Sequence, residues 1–226
     1  MDAFFSFFLG YICGAIPFGL MFTRMAGLGD IRTSGSGNIG ATNVLRTGNK
    51  TIALLTLLAD AFKGIFPIII LHSILRGALS VYAEGVFGFS SIVSASHVSF
   101  LSALCGFGAL LGHMFPFWLG FRGGGKGVAT FFGLVAILCP WSVFIAVSIT
   151  WLLVAAFSRY SSLSSLVATV SAPLWSFFFS PSESHWFMSE PFFLLLCALL
   201  IWWRHRSNIE RLYLGIETKI GEKNNV

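Results

Sequence analysis

Charge is what this sequence has least of. Only 10% of its 226 residues are Asp, Glu, Lys or Arg, against about 25% in a soluble domain, which excludes a disordered chain, a coiled coil and an ordinary water-soluble enzyme. Cysteine is scarce as well. Cys13, Cys105, Cys139 and Cys197 all lie inside apolar runs, without Cys-x-x-Cys spacing, and read as small buried hydrophobes rather than disulfide partners or metal ligands. No His/Cys/Asp/Glu cluster has metal-ligand spacing and no internal repeat is visible, so neither a metal nor another cofactor is expected. Met1-Asp2-Ala3 lacks the basic start of a cleavable signal, and the first apolar run is expected to stay as a span. What the chain has instead is 56% hydrophobic residues, 25 Phe, 7 Trp and a mean hydropathy of +0.83. Lipid is the solvent for most of its surface, and residues 1–226 read as a single membrane-embedded domain.

A helical span needs about 20 apolar residues. Residues 4–22, 51–71 and 92–111 supply three such runs, 163–179 a sixth with Pro173 inside it, and 192–203 the core of a seventh. Residues 128–157 are too long for one span, and Pro140-Trp141 near the middle predicts a tight hairpin of two short ones, because proline removes a helical hydrogen bond and clashes with the preceding turn. The formal charge of +5 could suggest nucleic acid, but in a membrane chain Lys and Arg mark the cytoplasmic side. With seven spans and the amino terminus outside, the inner segments collect Arg24, Arg32, Arg46, Lys50, Arg122, Lys126, Arg159, Arg204, Arg206, Arg211, Lys219 and Lys223; Arg76 falls outside with Asp2, Glu84, Glu183 and Glu190, and Lys63 lies within a span. The sequence therefore predicts an all-α integral membrane protein of seven transmembrane helices, amino terminus outside and carboxyl terminus cytoplasmic, with no nucleic-acid partner. Three polar segments (34–50, 112–127 and 205–221) and the turn at 159–162 then share the cytoplasmic face.

Two of these segments carry misleading fingerprints. Residues 35–40 (GSGNIG) match the dinucleotide-binding pattern letter for letter, but no strand precedes them. Residues 120–126 (GFRGGGK) match the start of a phosphate-binding P-loop, but Gly127 replaces the required Ser or Thr. The shared physics survives both failures: glycines bare successive N–H groups that can cradle phosphate oxygens, and a helix starting next adds its positive end. Gly37, Asn38, Gly40, Thr42 and Asn43 in the first loop, and Gly124, Gly125 and Gly127 in the second, are the expected phosphate-binding positions. Ser36, Arg46 and Lys126 stand beside them, and His205 and Asn208 share one helix face at the membrane surface. Asp60 and Lys63 can pair inside the second span, either as a plain ion pair or as support for the site. His72, His97 and His185 receive no role.

Residues 36–46 (SGNIGATNVLR), 112–130 (GHMFPFWLGFRGGGKGVAT) and 205–221 (HRSNIERLYLGIETKIG) resemble the three signatures of the bacterial acyl-phosphate-dependent glycerol-3-phosphate acyltransferases, the PlsY family; 60–64 (DAFKG) and 159–163 (RYSSL) resemble further family blocks. The resemblance runs in order over nearly the whole chain. It implies a bacterial inner-membrane enzyme with its active site on the cytoplasmic face. Such an enzyme moves a fatty acyl group from acyl phosphate to the 1-hydroxyl of sn-glycerol 3-phosphate, releasing phosphate in the first step of phospholipid synthesis. Carried over by position, Ser36, Arg46, Lys126, His205 and Asn208 are the expected catalytic residues, with Ser162 and Glu217 as supports. The soluble enzyme that makes acyl phosphate is an implied partner. The sequence departs from the pattern at Ile39, where proline or a small β-branched residue is expected, and in placing three glycines rather than two between Arg122 and Lys126, which leaves the loop register open.

The chemistry suits these residues. Two near-dianions must be brought together, which calls for cations and aimed N–H groups. Acyl phosphate is already activated, so orientation and electrostatics are the main requirements. Acyltransferases that use thioesters rely on a His-x-x-x-x-Asp pair, absent here; His205 and Glu210 have the spacing with the wrong acid. His205 as base and His205 as phosphate ligand are both left open, and attack assisted by a substrate phosphate, with its second pKa near 6, is the favoured route, with Ser36 as a phosphate ligand. Direct attack is expected over a Ser36 acyl-enzyme, because no base is coupled in sequence to that hydroxyl. A transporter of phosphate esters is the competing class, but it would show a repeat and polar groups at mid-membrane.

Overall fold

The computed structural model of the chain describes residues 2–33, 35–84, 95–179 and 190–222, and for 77–84 and 95 the helical backbone alone. His185, Glu183, Lys223 and the expected start of the third span at Ile92 lie outside the described residues. Those residues form ten α-helices and no strand: α1 Asp2–Gly14, α2 Phe18–Met25, α3 Ala41–Leu45, α4 Lys50–Glu84, α5 Ala95–Met114, α6 Val128–Leu138, α7 Trp141–Ser158, α8 Ser161–Phe179, α9 Glu190–Arg204 and α10 Arg206–Tyr213. Five helical stretches, counting α1 and α2 together, are long and apolar enough to cross a membrane; α6 is a shorter apolar helix.

The burial pattern is that of a protein dissolved in lipid. Phe4, Leu58, Phe157, Leu174 and Phe178 are exposed, while Ser6, Thr56, Ser102, Thr130, Ser164 and Thr169 are buried. Most of these inner hydroxyls satisfy themselves within a helix, as Thr56 does on the Ile52 carbonyl (2.8 Å) and Thr169 on Ser165 (2.7 Å). Between helices in lipid, close backbone approach replaces the hydrophobic drive. Methyl groups on Gly10 and Gly14 of α1 would overlap the carbonyls of Cys105 and Ala109 in α5, and methyls on Gly108 and Gly112 would overlap those of Phe7 and Tyr11. The α4–α6 crossing is built the same way from Gly64 and Gly133. Gly112→Leu is therefore expected to lower stability by about 3 kcal/mol, read as an earlier thermal unfolding transition in detergent; an unchanged transition would show that α1 and α5 part without cost.

The structure corrects the boundaries of two spans. The first run is not one helix: α1 ends at Gly14, and Pro17, which lacks an N–H, separates it from α2. At the break the carbonyl of Ile16 accepts from Phe18 N–H (3.1 Å) and from Lys63 Nζ (3.1 Å). The helix of the second expected span, α4, continues well past residue 71, with Pro67 inside it. The expected break at Pro140 is present, between α6 and α7, but the two arms are unequal: 11 residues in α6 and 18 in α7.

Candidate active site

Four polar segments meet at one end of the bundle around a cavity of about 540 Å³. The first segment, 31–33 with 35–46, is folded around Asn43. Its buried side chain donates from Nδ2 to the carbonyls of Ile31 and Asn38 (both 3.0 Å) and accepts at Oδ1 from Ser36 N–H (3.0 Å). Asn43, expected at the phosphate, lines the cavity, and the same amide holds the loop. It brings Ser36, Asn38, Gly40, Thr42 and Arg46 to the cavity, whereas Gly37, in the left-handed region at φ 69°, does not line it.

In the second segment the backbone sets the four glycines apart. Gly123 and Gly127 take left-handed backbone (φ 70° and 85°), and Gly124 and Gly125 are packed too tightly for a side chain. Gly125 donates its N–H to the His113 carbonyl (3.1 Å), so this amide, expected to bind phosphate, is committed within the protein. Neither Gly124 nor Gly125 lines the cavity; Lys126, Gly127 and the first turn of α6 do.

The third and fourth segments interlock. Glu217 accepts from Ser162 Oγ (2.7 Å) and Asn208 Nδ2 (2.6 Å) at Oε1, and from Arg211 Nε (2.6 Å) at Oε2. Burial pushes the Glu217 carboxyl up, but these hydrogen bonds outweigh it and hold the group below the usual carboxylate range. With its nitrogen drawn to the carboxylate, Asn208 leaves a buried Oδ1 that has no hydrogen-bond partner among the described residues. His205 is buried, and its Nδ1 lies 2.8 Å from the Ile201 carbonyl. A carbonyl only accepts, so Nδ1 carries the proton and Nε2 the lone pair. Burial, reinforced by the charge of Lys126, lowers the His205 pKa to about 4, which leaves the ring neutral near pH 7.

Two cations face this pair. Arg46 and Lys126 line the cavity, and among the described residues neither has a carboxylate within 4.0 Å. Burial lowers the Lys126 pKa to about 8; the Glu217 charge opposes that shift, and Arg211, Arg46 and Arg204 reinforce it. Asp60 and Lys63 do pair inside α4, at 2.8 Å and almost wholly buried, and Asp60 lines the cavity while Lys63 does not. Away from the cations the cavity becomes apolar, running between α4 (Leu57, Leu58, Ala61, Ile65) and α7 (Phe144, Trp151, Leu152) over a floor of α6 (Phe132, Gly133, Ala136). Sequence reasoning missed Arg211, Thr218, Ser161 and Ser165 near the polar end, and His113, which lies next to Asp60. The quoted blocks contain all of these except Ser165, but their partners are not sequence neighbours.

A helical membrane bundle whose cations, among the described residues, have no carboxylate within 4.0 Å, at the head of an apolar groove, is an architecture for handling a phosphorylated amphiphile. Residues 4–215 match the family described as glycerol-3-phosphate acyltransferase, and the chain belongs to that family, the integral membrane PlsY enzymes. It is 45% identical over 221 residues to the glycerol-3-phosphate acyltransferase of Allorhizobium ampelinum (96% of this chain, 92% of the relative) and 46% identical over 217 residues to that of Methylorubrum populi (95% and 91%). The crystal structure of PlsY (YgiH), an integral membrane glycerol 3-phosphate acyltransferase, in its glycerol 3-phosphate form superposes with a TM-score of 0.75 at 34% identity, covering 98% of this chain and 96% of the other. Its lysophosphatidic acid form gives 0.74 at 33%, with the same coverage.

Proposed function

We propose that this chain transfers a fatty acyl group from acyl phosphate to the 1-hydroxyl of sn-glycerol 3-phosphate, giving 1-acyl-sn-glycerol 3-phosphate and inorganic phosphate. The observation that carries this reading is the pair Arg46 and Lys126, without close carboxylates, at the mouth of an apolar groove. The two phosphates sit against these cations, Ser36, Gly40, Thr42 and the start of α6, and the acyl chain lies along α6. His205 Nε2 and Asn208 Oδ1, both acceptors, take hydrogen bonds from the acceptor's hydroxyls and aim the 1-hydroxyl at the acyl carbon. The new ester C–O bond forms as the carbon–oxygen bond to the leaving phosphate breaks. The hydroxyl proton passes to a phosphate oxygen, a stronger base than a His205 held near pKa 4.

Ser36 serves here as a phosphate ligand. Its Oγ lies 3.2 Å from Asn38 Nδ2, and no imidazole or carboxylate is bonded to it among the described residues. Seven spans follow if α1–α2, α4, α5, α6, α7, α8 and α9 each count once. The basic residues then put the site on the cytoplasmic side of the bacterial inner membrane, where the soluble enzyme that makes acyl phosphate can deliver it.

The test is phosphate release from palmitoyl phosphate by the purified chain, with and without glycerol 3-phosphate. Release that requires the acceptor and yields the 1-acyl product is expected, with no turnover of palmitoyl-CoA. Ser36→Ala is expected to keep about 1–10% of the rate, as for the loss of one hydrogen bond to a charged group; complete loss with a trapped acyl-serine in the wild type would establish the covalent route instead. No acceptor-dependent release in detergent or lipid would overturn the donor assignment.

A further inference from the structure

The glycine loop ahead of α6 is gripped by groups that the transfer chemistry does not touch. Arg204, the last residue of α9, donates from Nη2 to the carbonyl oxygens of Gly124 (3.0 Å) and Gly125 (3.2 Å), and from Nε to Gly125 (3.3 Å). Gly125 N–H donates in turn to the His113 carbonyl (3.1 Å). The Gly124 carbonyl and the Gly125 N–H belong to one peptide unit, and in a trans peptide they point in opposite directions. That unit is thus held at both ends, by α9 on one side and α5 on the other.

Both sides of the grip are braced. The guanidinium of Arg204 lies over the Phe115 ring (5.2 Å), which packs on Trp203 (5.9 Å). A methyl on Gly125 would overlap the His113 imidazole. That ring has Asp60 behind it, Nδ1 to Oδ1 3.7 Å, and Asp60 is paired to Lys63, which reaches the Ile16 carbonyl at the break between α1 and α2. The next residue after the gripped peptide is Lys126. Arg204 itself does not line the cavity.

We propose that Arg204 and His113 form a clamp on the Gly124–Gly125 peptide that holds Lys126 in the cavity, which makes Arg204 a positioning residue for the transfer reaction. The kinetic side of this inference rests on the acyl-transfer reading; the clamp itself does not. The groups that face Lys126 are Arg46, Arg204, His205, Arg211 and Glu217, with Asp60 and His113 on the same cavity wall. Burial is the first cause of its low pKa, so an unclamped loop lets the ammonium reach water and its titration climb toward the ordinary value of about 10.4.

The experiment compares the full chain in detergent with Arg204→Met and Arg204→Lys, and reads two quantities. One is the midpoint of Lys126 acetylation by acetic anhydride against pH, followed by mass spectrometry with exposed Lys50 as internal reference. The other is kcat and KM for glycerol 3-phosphate. Arg204 is also a positive neighbour whose loss alone raises the midpoint, so Arg204→Lys, which keeps the charge and lacks the fork, is the deciding variant. It also decides where Arg204→Met fails to fold. The expected result is a midpoint above about 8 in both variants, with kcat/KM down by as much as about 100-fold through kcat. A folded Arg204→Lys protein with the wild-type midpoint and kcat would overturn the clamp. A wild-type chain that transfers nothing would sink the acyl-transfer reading alone, since the acetylation midpoint still decides the clamp.

Discussion

Lys126→Met is expected to lower kcat/KM for glycerol 3-phosphate by about a thousandfold near pH 7. Removing one preorganised donor from a developing oxyanion costs about 2.7–4 kcal/mol, and Lys126 has a further duty, since two phosphate groups must sit side by side. At an effective dielectric near 20, a unit charge about 4 Å away contributes about 4 kcal/mol before desolvation is counted. Arg46 remains, so activity falls far without vanishing. The same residue fixes the alkaline limb. With a pKa of about 8 in the free protein, Lys126 is increasingly neutral as pH rises through 8, and kcat/KM falls there. Bound phosphate favours the ammonium, so the limb in kcat lies at higher pH than that in kcat/KM. Lys126→Arg keeps the charge at all accessible pH and removes the limb, although its wide planar head fits a site shaped for an ammonium poorly. Rates measured from pH 6 to 10 check this. An alkaline limb that persists unchanged in Lys126→Arg would assign it to another group.

Much of the site was legible in the sequence, for a physical reason: groups that bind phosphate must be small, basic or hydroxylic, and such residues stand out in a chain that is otherwise apolar. The break at Pro140 was legible too, because an apolar run too long for one span had a proline at its centre. The break at Pro17 lay hidden in a run of normal span length. What stabilises it is Lys63 Nζ on the Ile16 carbonyl, a contact across 47 residues that no local pattern announces. Asn43 could be placed at the site, but its use could not. An amide beside a glycine loop serves equally well as ligand or as loop scaffold, and the scaffold role shows only in its hydrogen bonds to Ile31, Asn38 and Ser36. The glycines of 123–127 looked alike in sequence and do different work: two supply left-handed backbone, two supply close approach. Arg204 escaped notice because it reads as one more basic residue at the end of a span. Its partners, Gly124 and Gly125, lie 80 and 79 residues away.

Ala136→Phe is expected to separate long from short acyl donors. The groove starts at Val128, beside Lys126, and follows α6 to Ala136, a rise of about 12 Å at about 1.5 Å per residue. At that far end Phe144 of α7 also lines it, set edge-on to Phe132 at 6.5 Å. A phenyl ring in place of the Ala136 methyl fills this end and displaces about four methylenes of a palmitoyl chain. At about 0.8 kcal/mol for each buried methylene the loss is about 3.2 kcal/mol, or about 200-fold in kcat/KM at 1.4 kcal/mol per decade. An octanoyl chain ends before Ala136 and gives up none of this, so its transfer is expected to stay within about threefold of wild type. The ratio of the two rates is the informative quantity, because misfolding or a shift of Lys126 would lower both together. Equal losses for palmitoyl and octanoyl phosphate would mean that the substitution acts on the bundle and not on the chain. No loss for either would place the acyl chain outside the α6 groove.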